Sequence, residues 1–221
     1  MQSQRTTPAI AIACGGTGGH LFPGLAVGQQ LQQRGCAVTL LVSPKEVDQL
    51  AVKTAIGMAV VTLPAVGLTR GRWIRFLSGY CRSYWSARKH FQARPPHAVL
   101  AMGGFTSVPP VAAARRFGAA TFLHESNTIP GKANRWLSRK VDQAFVGFPA
   151  TAAGLRTRRV LTTGTPVRPQ FQPKDPAVCR AALGLEPLRP VLLVMGGSQG
   201  ASAINELVLQ MLPLLADRAP E

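Results

Sequence analysis

The sequence predicts an α/β protein built on an open, doubly wound parallel sheet. Short apolar runs alternate with segments of helical periodicity from residue 9 to residue 167. Glycine-rich or polar turns follow several of these apolar runs. Apolar residues make up 46% of the 221 residues, which is enough for one packed core and a little more. In such a fold the functional loops lie at the carboxyl ends of the strands.

The chain opens with a strand–helix–strand unit. Residues 9–14 form a short apolar strand, and leucines and valine at helical spacing predict a helix over residues 21–35. Gly35 is a plausible helix cap, and residues 37–43 form the next strand before a proline. A third strand is expected at residues 58–65. The connection should be right-handed and the strands parallel.

The later elements alternate in the same way. We expect further helices at residues 72–91, 107–118 and 131–141, and further strands at residues 97–104, 119–126, 143–148 and 160–167.

The sequence also predicts how the chain is divided. Residues 8–168 form the N-terminal domain, and the Pro-rich residues 169–190 form a linker. Residues 191–221, an apolar strand, a glycine loop and a helix, begin a second domain. One strand and one helix are too few to bury their apolar faces. We therefore expect a C-terminally truncated piece of a two-domain protein.

The charge is strongly positive and unevenly spread. The formal net charge is +16, and residues 66–140 hold thirteen lysines and arginines against one acid, Glu125. Such a field implies an anionic partner, either a nucleic acid, an anionic membrane surface or a polyphosphorylated substrate. The four cysteines form no CxxC pair and the four histidines are scattered, so we expect no metal site. No run approaches the roughly 18 apolar residues of a membrane span.

The segment "CGGTGGH" (residues 14–20, the first glycine loop) resembles a nucleotide-binding loop without being one. The dinucleotide fingerprint fails because Leu21 stands where its third glycine is needed, and Ser43 stands where the ribose-binding acid belongs. No G-K-[ST] sequence is present, which excludes a Walker loop.

Glycines before a helix still expose N–H groups that suit an anion, and a hydroxyl can add a further donor. Beside such a loop His20 is expected to contact a base or a sugar. The alternative is a tight turn that needs glycine for its backbone shape. The residues of the loop with these expected roles are Gly15, Gly16, Thr17, Gly18, Gly19 and His20.

A second glycine loop, residues 102–110 ("MGGFTSVPP"), repeats the pattern of strand, paired glycines, hydroxyls and helix. Two such loops at one sheet edge suggest two phosphate positions, or one pyrophosphate held from both sides. The candidate residues are Gly103, Gly104, Thr106 and Ser107.

Polar groups also follow two later strands. Asn127 could bind sugar hydroxyls, whereas His124 and Glu125 before it could equally be structural. Arg168 could bring a guanidinium to a phosphate, with a solvated linker arginine as the alternative.

Residues 70–91 interleave basic and aromatic side chains. This pattern suits an anionic membrane interface or the stacking of single-stranded nucleic acid. The alternative is an amphipathic helix with its aromatic rings in the core. The candidate patch residues are Arg72, Trp73, Arg75, Phe76, Arg82 and Trp85.

Taken in order, "GGTGGHLFPGLAV", "MGGFTSVPP", "HESN…G…N", "GTPVR" and "GGSQGA" resemble the MurG glycosyltransferases. The resemblance implies a GT-B fold of two Rossmann-like domains. It implies inverting transfer of N-acetylglucosamine from UDP-GlcNAc to the 4-hydroxyl of MurNAc-pentapeptide-pyrophosphoryl-undecaprenol (lipid I), for peptidoglycan synthesis, with no cofactor and no metal in the chemistry.

The resemblance also assigns roles. His20 would be the general base, the two glycine loops would cradle the acceptor pyrophosphate, and the residues 70–91 would dock to the membrane. The residues that would approach the donor sugar and its diphosphate are Thr17, Gly18, Gly19, Asn127, Arg168 and Ser198.

The expected partners are therefore UDP-GlcNAc, lipid I and the cytoplasmic face of the bacterial inner membrane, bound peripherally, with no nucleic acid. The chain alone is expected to be inactive because most donor-binding residues should follow residue 221. The alternatives are another GT-B lipid or natural-product glycosyltransferase, an NAD-dependent oxidoreductase, disfavoured by the failed fingerprint, and a basic nucleic-acid-binding module.

Overall fold

The computed structural model describes residues 7–65, 67, 73–196 and 201–216, and it contains one seven-stranded parallel sheet. The strand order is β3-β2-β1-β4-β5-β6-β7, so the order reverses between β1 and β4. This confirms the predicted doubly wound α/β sheet. The strands are β1 (Ala9–Ala13), β2 (Ala37–Val42), β3 (Ala59–Thr62), β4 (Ala98–Ala101), β5 (Ala120–Glu125), β6 (Gln143–Val146) and β7 (Val160–Thr162).

Alternate residues of the central strand enter two separate cores. Ala11 and Ala13 of β1 belong to one buried cluster, together with Phe91. Ile12, between them, belongs to a second cluster with Leu25. Both faces of the sheet are therefore covered, which is why the central strands are almost continuously apolar.

Seven α-helices accompany the described strands. They are α1 (Gly18–Gln33), α2 (Glu46–Ala51), α3 (Trp73–Ala93), α4 (Val108–Arg115), α5 (Lys132–Leu137), α6 (Pro176–Ala182) and α7 (Ser202–Ala216).

The first helix lies very close to the sheet because two of its four glycines, Gly24 and Gly28, face it. A Cβ atom at Gly24 would lie 2.5 Å from Cβ of Cys14, and one at Gly28 would lie 2.8 Å from Sδ of Met58. No real side chain tolerates such distances without a shift of its neighbours. These glycines thus hold the N-terminus of α1 against the end of β1, where the first glycine loop connects the two elements.

The helix predicted at residues 131–141 is shorter than expected. It spans Lys132–Leu137 and ends where the Ser138 hydroxyl donates to the carbonyl of Arg135. The same hydroxyl accepts a hydrogen bond from the Arg156 backbone N–H. A side chain that bonds both groups in this way competes with continued helix, as serine commonly does at helix ends.

The chain divides into two compact units, Met1–Phe171 and Gln172–Glu221. The second unit contains α6, which lies in the predicted linker and is capped at its N-terminus by the Asp175 carboxylate. The predicted strand at 191–195 is wrong, since described residues 191–196 form none and are exposed. A strand requires neighbours, and the described part of this unit supplies none. The predicted domain limits stay predictions.

No helix within the described residues is both long enough and apolar enough to cross a membrane.

Candidate functional site

The two glycine loops meet at the carboxyl ends of β1 and β4, on either side of the reversal in strand order. The hydroxyl of Thr106 in the second loop donates a hydrogen bond to the carbonyl of Gly15 in the first. A Cβ atom at Gly16 would lie 3.7 Å from the Thr106 side chain. Ligands of open α/β sheets bind at this position, so the fold assembles the site that the two motifs suggested.

Part of the glycine pattern is required by the backbone itself. Gly16, Gly103 and Gly104 have φ angles of 116°, 113° and 75°, a region that side chains rarely adopt. At Gly15 a Cβ atom would lie 2.4 Å from the Ser43 backbone nitrogen. The backbone shape of the loops therefore requires glycine at these four positions.

Gly18 and Gly19 are different, because they lie in the first turn of α1. A Cβ atom at Gly19 would meet only the Thr17 hydroxyl, at 3.9 Å, and one at Gly18 would meet the Phe22 ring at 3.3 Å. Neither has a positive φ angle. The contacts within the fold therefore do not require a glycine at position 19.

The imidazole of His20 lies between the two loops and is half-buried. Its Nδ1 shares a hydrogen bond of 3.1 Å with the Thr17 hydroxyl. Its Nε2 lies 2.9 Å from the point that a Gly103 Cβ would occupy, and its Cε1 lies 3.3 Å from the corresponding point at Gly104. The imidazole therefore packs directly on the backbone of the second loop.

The surroundings of His20 keep the ring uncharged. Burial lowers the pKa of His20 below its ordinary value of 6.5, while the nearby carboxylates of Glu125 and Asp48 act in the opposite direction. Burial is the larger effect. A neutral imidazole has one nitrogen free to accept a proton, which is the state that a general base needs near neutral pH.

The hydroxyls of the second loop are used within the protein. Thr106 and Ser107 are buried. Thr106 bonds to the first loop, and the Ser107 hydroxyl lies within hydrogen-bond distance of the carbonyls of Gly103 and Gly104, at 2.9 and 2.8 Å. Both side chains thus stabilise the loops, which leaves backbone N–H groups as the candidate phosphate ligands.

Glu125, at the end of β5, organises the neighbouring loop from a buried position. Its Oε1 accepts from the backbone and side-chain nitrogens of Asn127, at 2.9 and 2.8 Å. Its Oε2 accepts from the Gly131 backbone, at 3.0 Å, and from Nδ2 of Asn134, at 2.8 Å. A carboxylate with four donors is well satisfied although it is only 2% exposed. Glu125 therefore fixes the conformation that presents the exposed Asn127.

Asn134 connects this network to His20, although it is absent from the sequence-derived candidates. It is buried, and its Nδ2 lies 3.0 Å from the point that a Gly103 Cβ would occupy. That point is also the one that Nε2 of His20 approaches. The signal was present in the sequence, because Gly131 and Asn134 are the glycine and the asparagine of the quoted "HESN…G…N" pattern.

His124 links β5 to the loop after β7. Its Nε2 donates to the Gly164 carbonyl at 3.0 Å, and its Nδ1 lies 3.4 Å from the Ser126 hydroxyl. Since a carbonyl only accepts, the proton resides on Nε2. Burial lowers the pKa of His124. These contacts favour a structural role for this residue.

Arg168 lies on the first helix rather than free in solvent. Its guanidinium carbon is 4.8 Å from the centre of the Phe22 ring in α1 and 5.0 Å from that of Phe171. A guanidinium stacked on aromatic rings retains its edge N–H groups for an anion. The Phe22 ring also borders Gly18 in the first turn of α1. The ring therefore lies between Arg168 and the N-terminus of α1.

Asp48, five residues after Ser43, is turned into the protein. Asp48 in α2 is fully buried and accepts hydrogen bonds from the backbone of Gly16, at 2.7 Å, and of Ser43, at 3.0 Å. It is therefore not available to a ribose hydroxyl. Nothing in the sequence pattern indicated this contact.

The basic aromatic helix α3 exposes both of its tryptophans. Its buried residues are Gly79, Ser83, Ala87 and Phe91, which are mostly small. Trp73 and Trp85 remain 61% and 60% exposed. The interpretation that places these aromatic rings in the core is therefore wrong for both tryptophans. Arg75 and Arg82 are exposed on the same helix and Phe76 is half-buried. Two candidates, Arg72 and Ser198, lie outside the described residues.

Acid should destabilise the fold before any ordinary carboxyl group titrates. Burial lowers the pKa values of His20, His90 and His124 below 6.5. As the pH falls through 6.5, the unfolded chain binds protons that the folded chain does not, so the free energy of unfolding falls. We expect the urea midpoint to be lower at pH 5.5 than at pH 7.5. The His20→Gln variant should show a smaller difference, and equal midpoints for the unsubstituted chain would contradict the expectation.

Comparisons with known proteins agree with this architecture. The sequence model described as the glycosyltransferase family 28 N-terminal domain matches residues 10–146. A transferase of Magnetococcus marinus, named UDP-N-acetylglucosamine–N-acetylmuramyl-(pentapeptide) pyrophosphoryl-undecaprenol N-acetylglucosamine transferase, is 38% identical over 97% of this chain and 59% of its own length. The enzyme of the same name from Prochlorococcus marinus is 34% identical over 94% of this chain and 57% of its own length.

The solved structure of MurG from Acinetobacter baumannii superimposes with a TM-score of 0.70 at 29% identity, over 90% of this chain and 55% of that one. The chain thus spans little more than half the length of the relatives that it matches. The residues 10–146 that the family model matches include both glycine loops and the Glu125 network. The chain therefore belongs to glycosyltransferase family 28, whose N-terminal domain it contains at residues 10–146.

Proposed function

We propose that this chain is the acceptor-binding half of an inverting N-acetylglucosaminyltransferase. The reaction is transfer of N-acetylglucosamine from UDP-GlcNAc to the 4-hydroxyl of MurNAc-pentapeptide-pyrophosphoryl-undecaprenol, a step of peptidoglycan synthesis. The observation that carries the proposal is the half-buried imidazole of His20 packed on the second of two glycine loops. The names of the related transferases supply the donor and the acceptor.

The proposed chemistry assigns one proton to His20. As the acceptor 4-hydroxyl oxygen attacks the anomeric carbon, its proton passes to the free imidazole nitrogen. The bond between the anomeric carbon and the diphosphate oxygen breaks, and UDP leaves with the electron pair. The hydrogen bond between Thr17 and Nδ1 leaves Nε2 as the nitrogen that accepts this proton, provided that Nδ1 carries the ring hydrogen. The contribution of such a base is about 10²–10⁴ in rate.

The donor would lie at the N-terminus of α1. Thr17, Gly18 and Gly19 border the sugar in this proposal, and Asn127, exposed after β5, contributes an amide. Arg168 approaches the diphosphate from its position over the Phe22 ring. A helix N-terminus and a guanidinium both favour the negative charge that develops on the leaving UDP. Ser198 is assigned to the same diphosphate by the resemblance alone.

The acceptor pyrophosphate would lie against the backbone of both glycine loops. The positive φ angles of Gly16, Gly103 and Gly104 shape both loops, and glycine allows a ligand to approach their backbone N–H groups closely. The basic surface of the region 66–140 adds a favourable field for a lipid-linked diphosphate.

The proposal includes peripheral binding to the cytoplasmic face of an anionic membrane through α3. Exposed aromatic and aliphatic side chains next to arginines suit the interface between headgroups and acyl chains. Trp73, Ile74 and Leu77 are 61%, 86% and 54% exposed in the first turns of α3, and Trp85 follows on the same helix.

Vesicle binding tests this surface. We expect Ile74→Ser to weaken co-sedimentation with vesicles rich in phosphatidylglycerol by about fivefold, since an aliphatic side chain leaves the acyl boundary. Ile56→Ser is the matched control because Ile56 is equally exposed, at 86%, outside α3. Equal losses for both variants would contradict the assignment of the surface. Tighter, salt-sensitive binding to single-stranded oligonucleotides than to vesicles would favour the nucleic-acid alternative.

Transfer itself is tested with two proteins. One is the 221-residue chain, and the other is a chimera in which its N-terminal domain continues into the C-terminal half of the Acinetobacter baumannii MurG. We expect UDP release from UDP-GlcNAc, dependent on a lipid I analogue, from the chimera and not from the chain alone. Turnover by the chain alone would contradict its dependence on the second half. A chimera that uses only other lipid or small-molecule acceptors would favour a different glycosyltransferase.

A further inference from the structure

Two side chains after β2 form hydrogen bonds with the backbone N–H and the carbonyl of Gly16, and a third supports one of them. The Asp48 carboxylate accepts a hydrogen bond from the Gly16 N–H at 2.7 Å, and the Lys45 ammonium donates to the Gly16 carbonyl at 2.8 Å. The same carboxylate oxygen also binds the backbone and the hydroxyl of Ser43. We name Ser43, Lys45 and Asp48 the Gly16 clamp.

The clamp acts at the residue where the first glycine loop needs support. Gly16 has a φ angle of 116°, and it immediately precedes Thr17, the N-cap residue of α1. Thr17 in turn bonds to Nδ1 of His20. The position of the Gly16 peptide therefore determines where α1 begins and where the imidazole lies.

Local turn stabilisation does not account for Asp48. Its partner Gly16 is 32 residues away in sequence. Its second oxygen, Oδ1, is buried and has no hydrogen-bond partner among the described residues. A buried carboxylate with an unpaired oxygen is costly to the fold, and an uncharged side chain would avoid part of that cost. A carboxylate at position 48 is therefore better explained by its hydrogen bond to Gly16, in the adjoining site, than by stability alone.

The negative charge of Asp48 affects the pKa values of two residues beside the first glycine loop. It acts to raise the pKa of His20, together with Glu125 and against burial, and it adds to the effect of burial that raises the pKa of Cys14. Glu125 and Asp48 are thus the two carboxylates that act on the imidazole. Glu125 accepts hydrogen bonds from Asn127, Gly131 and Asn134. Asp48 instead accepts one from Gly16, in the loop that leads to His20.

We propose that Asp48, assisted by Lys45, is a positioning residue that fixes the Gly16 peptide and through it the imidazole of His20. The proposal rests on the proposed function only in taking His20 as the general base. Asp48 does not touch a substrate in this arrangement, because its carboxylate is fully buried against the protein.

Nuclear magnetic resonance on the 221-residue chain tests the clamp without any transfer assay. In Asp48→Asn, which keeps the shape but removes the charge, we expect the titration midpoint of His20 to fall while that of His124 stays unchanged. Hydrogen exchange of the Gly16 amide should accelerate about fivefold, because a charge-assisted hydrogen bond is replaced by a weaker neutral one. Glu46→Gln is the matched control. It removes one exposed acid from the same helix and should change neither quantity.

A second variant guards against a folding defect in the first. Lys45 is exposed, so Lys45→Ala should fold and should still accelerate amide exchange at Gly16 and Thr17. A folded Asp48→Asn with unchanged His20 titration and Gly16 exchange would overturn the proposal. If Asp48→Asn does not fold, unchanged exchange in Lys45→Ala would overturn it.

In the active chimera, Lys45→Ala should lower kcat with little change in the KM for UDP-GlcNAc, since it displaces the base and removes no donor contact. A KM effect alone would contradict a positioning role. A chimera without transfer, combined with the expected resonance changes, would contradict only the proposed function and leave the clamp intact.

Discussion

Replacement of His20 by alanine should reduce kcat of the chimeric transferase by about 10²–10⁴, with a smaller change in the KM for UDP-GlcNAc. The imidazole is the group that removes the acceptor proton in the proposed mechanism, and it packs on the backbone of the second glycine loop. The measurement is steady-state UDP release with a lipid I analogue.

A histidine distant from the site provides the control for this substitution. His97 accepts a hydrogen bond from the backbone of Ala9 at the opposite end of the sheet, so His97→Gln should retain transfer. A kcat within a few-fold of the unsubstituted value in His20→Ala would exclude the base assignment.

The pH profile gives an independent check on the same residue. Because burial lowers the pKa of His20, the basic form remains populated below pH 6.5. The acid limb of kcat/KM should therefore fall with a midpoint below 6.5, and the rate should be lost only as the pH drops through that lowered value. A midpoint well above 6.5 would contradict the neutral imidazole that the burial predicts.

Replacement of Gly15 by alanine should prevent stable folding or cost about 3 kcal/mol or more of unfolding free energy. The new Cβ atom would lie 2.4 Å from the Ser43 nitrogen and 2.7 Å from the Val42 carbonyl carbon. Both are backbone atoms of the neighbouring strand and its end, so no side chain can rotate away to relieve the overlap. Thermal or urea unfolding of the 221-residue chain measures the loss.

Gly19→Ala distinguishes an effect on folding stability from an effect on ligand binding. Its Cβ atom would meet only the Thr17 hydroxyl, at an ordinary 3.9 Å, in the first turn of a helix. Alanine should therefore leave stability unchanged or raise it by about 0.5–1 kcal/mol. In the chimera the same methyl group should impair use of UDP-GlcNAc, since the donor sugar is proposed to approach this turn. Unaltered transfer would remove Gly19 from the donor site.

These two glycines show what the sequence pattern could and could not separate. "CGGTGGH" displays glycines of equal appearance, and their order indicates only an anion-binding turn before a helix. Gly15 is fixed by the approach of the next strand, which depends on the β1–β2 pairing. Gly19 is not fixed by any such contact. Only the distances between segments far apart in sequence distinguish them.

Residues of the site that carry no local signal were missed for the same reason. Asp48 lies in a helix of six residues that the periodicity did not predict, and its partner is a glycine 32 residues earlier. Asn134 was visible inside a longer pattern, but its contact with the second glycine loop depends on the adjacency of β4 and β5. The strand predicted after residue 190 is an element that the sequence suggested and the structure lacks. Its apolar character alone does not supply a neighbouring strand to pair with.

The sequence by itself determined the alternation of strands and helices, the two glycine loops, the position of His20 and the membership of a glycosyltransferase family. These features are local, since periodicity, turn chemistry and ordered motifs are properties of short segments. The tertiary structure alone decided that His20 packs on Gly103 and Gly104, that Arg168 stacks on Phe22, and that the tryptophans of α3 face outwards. These contacts follow from the strand order β2-β1-β4-β5, which brings together loops separated by tens of residues.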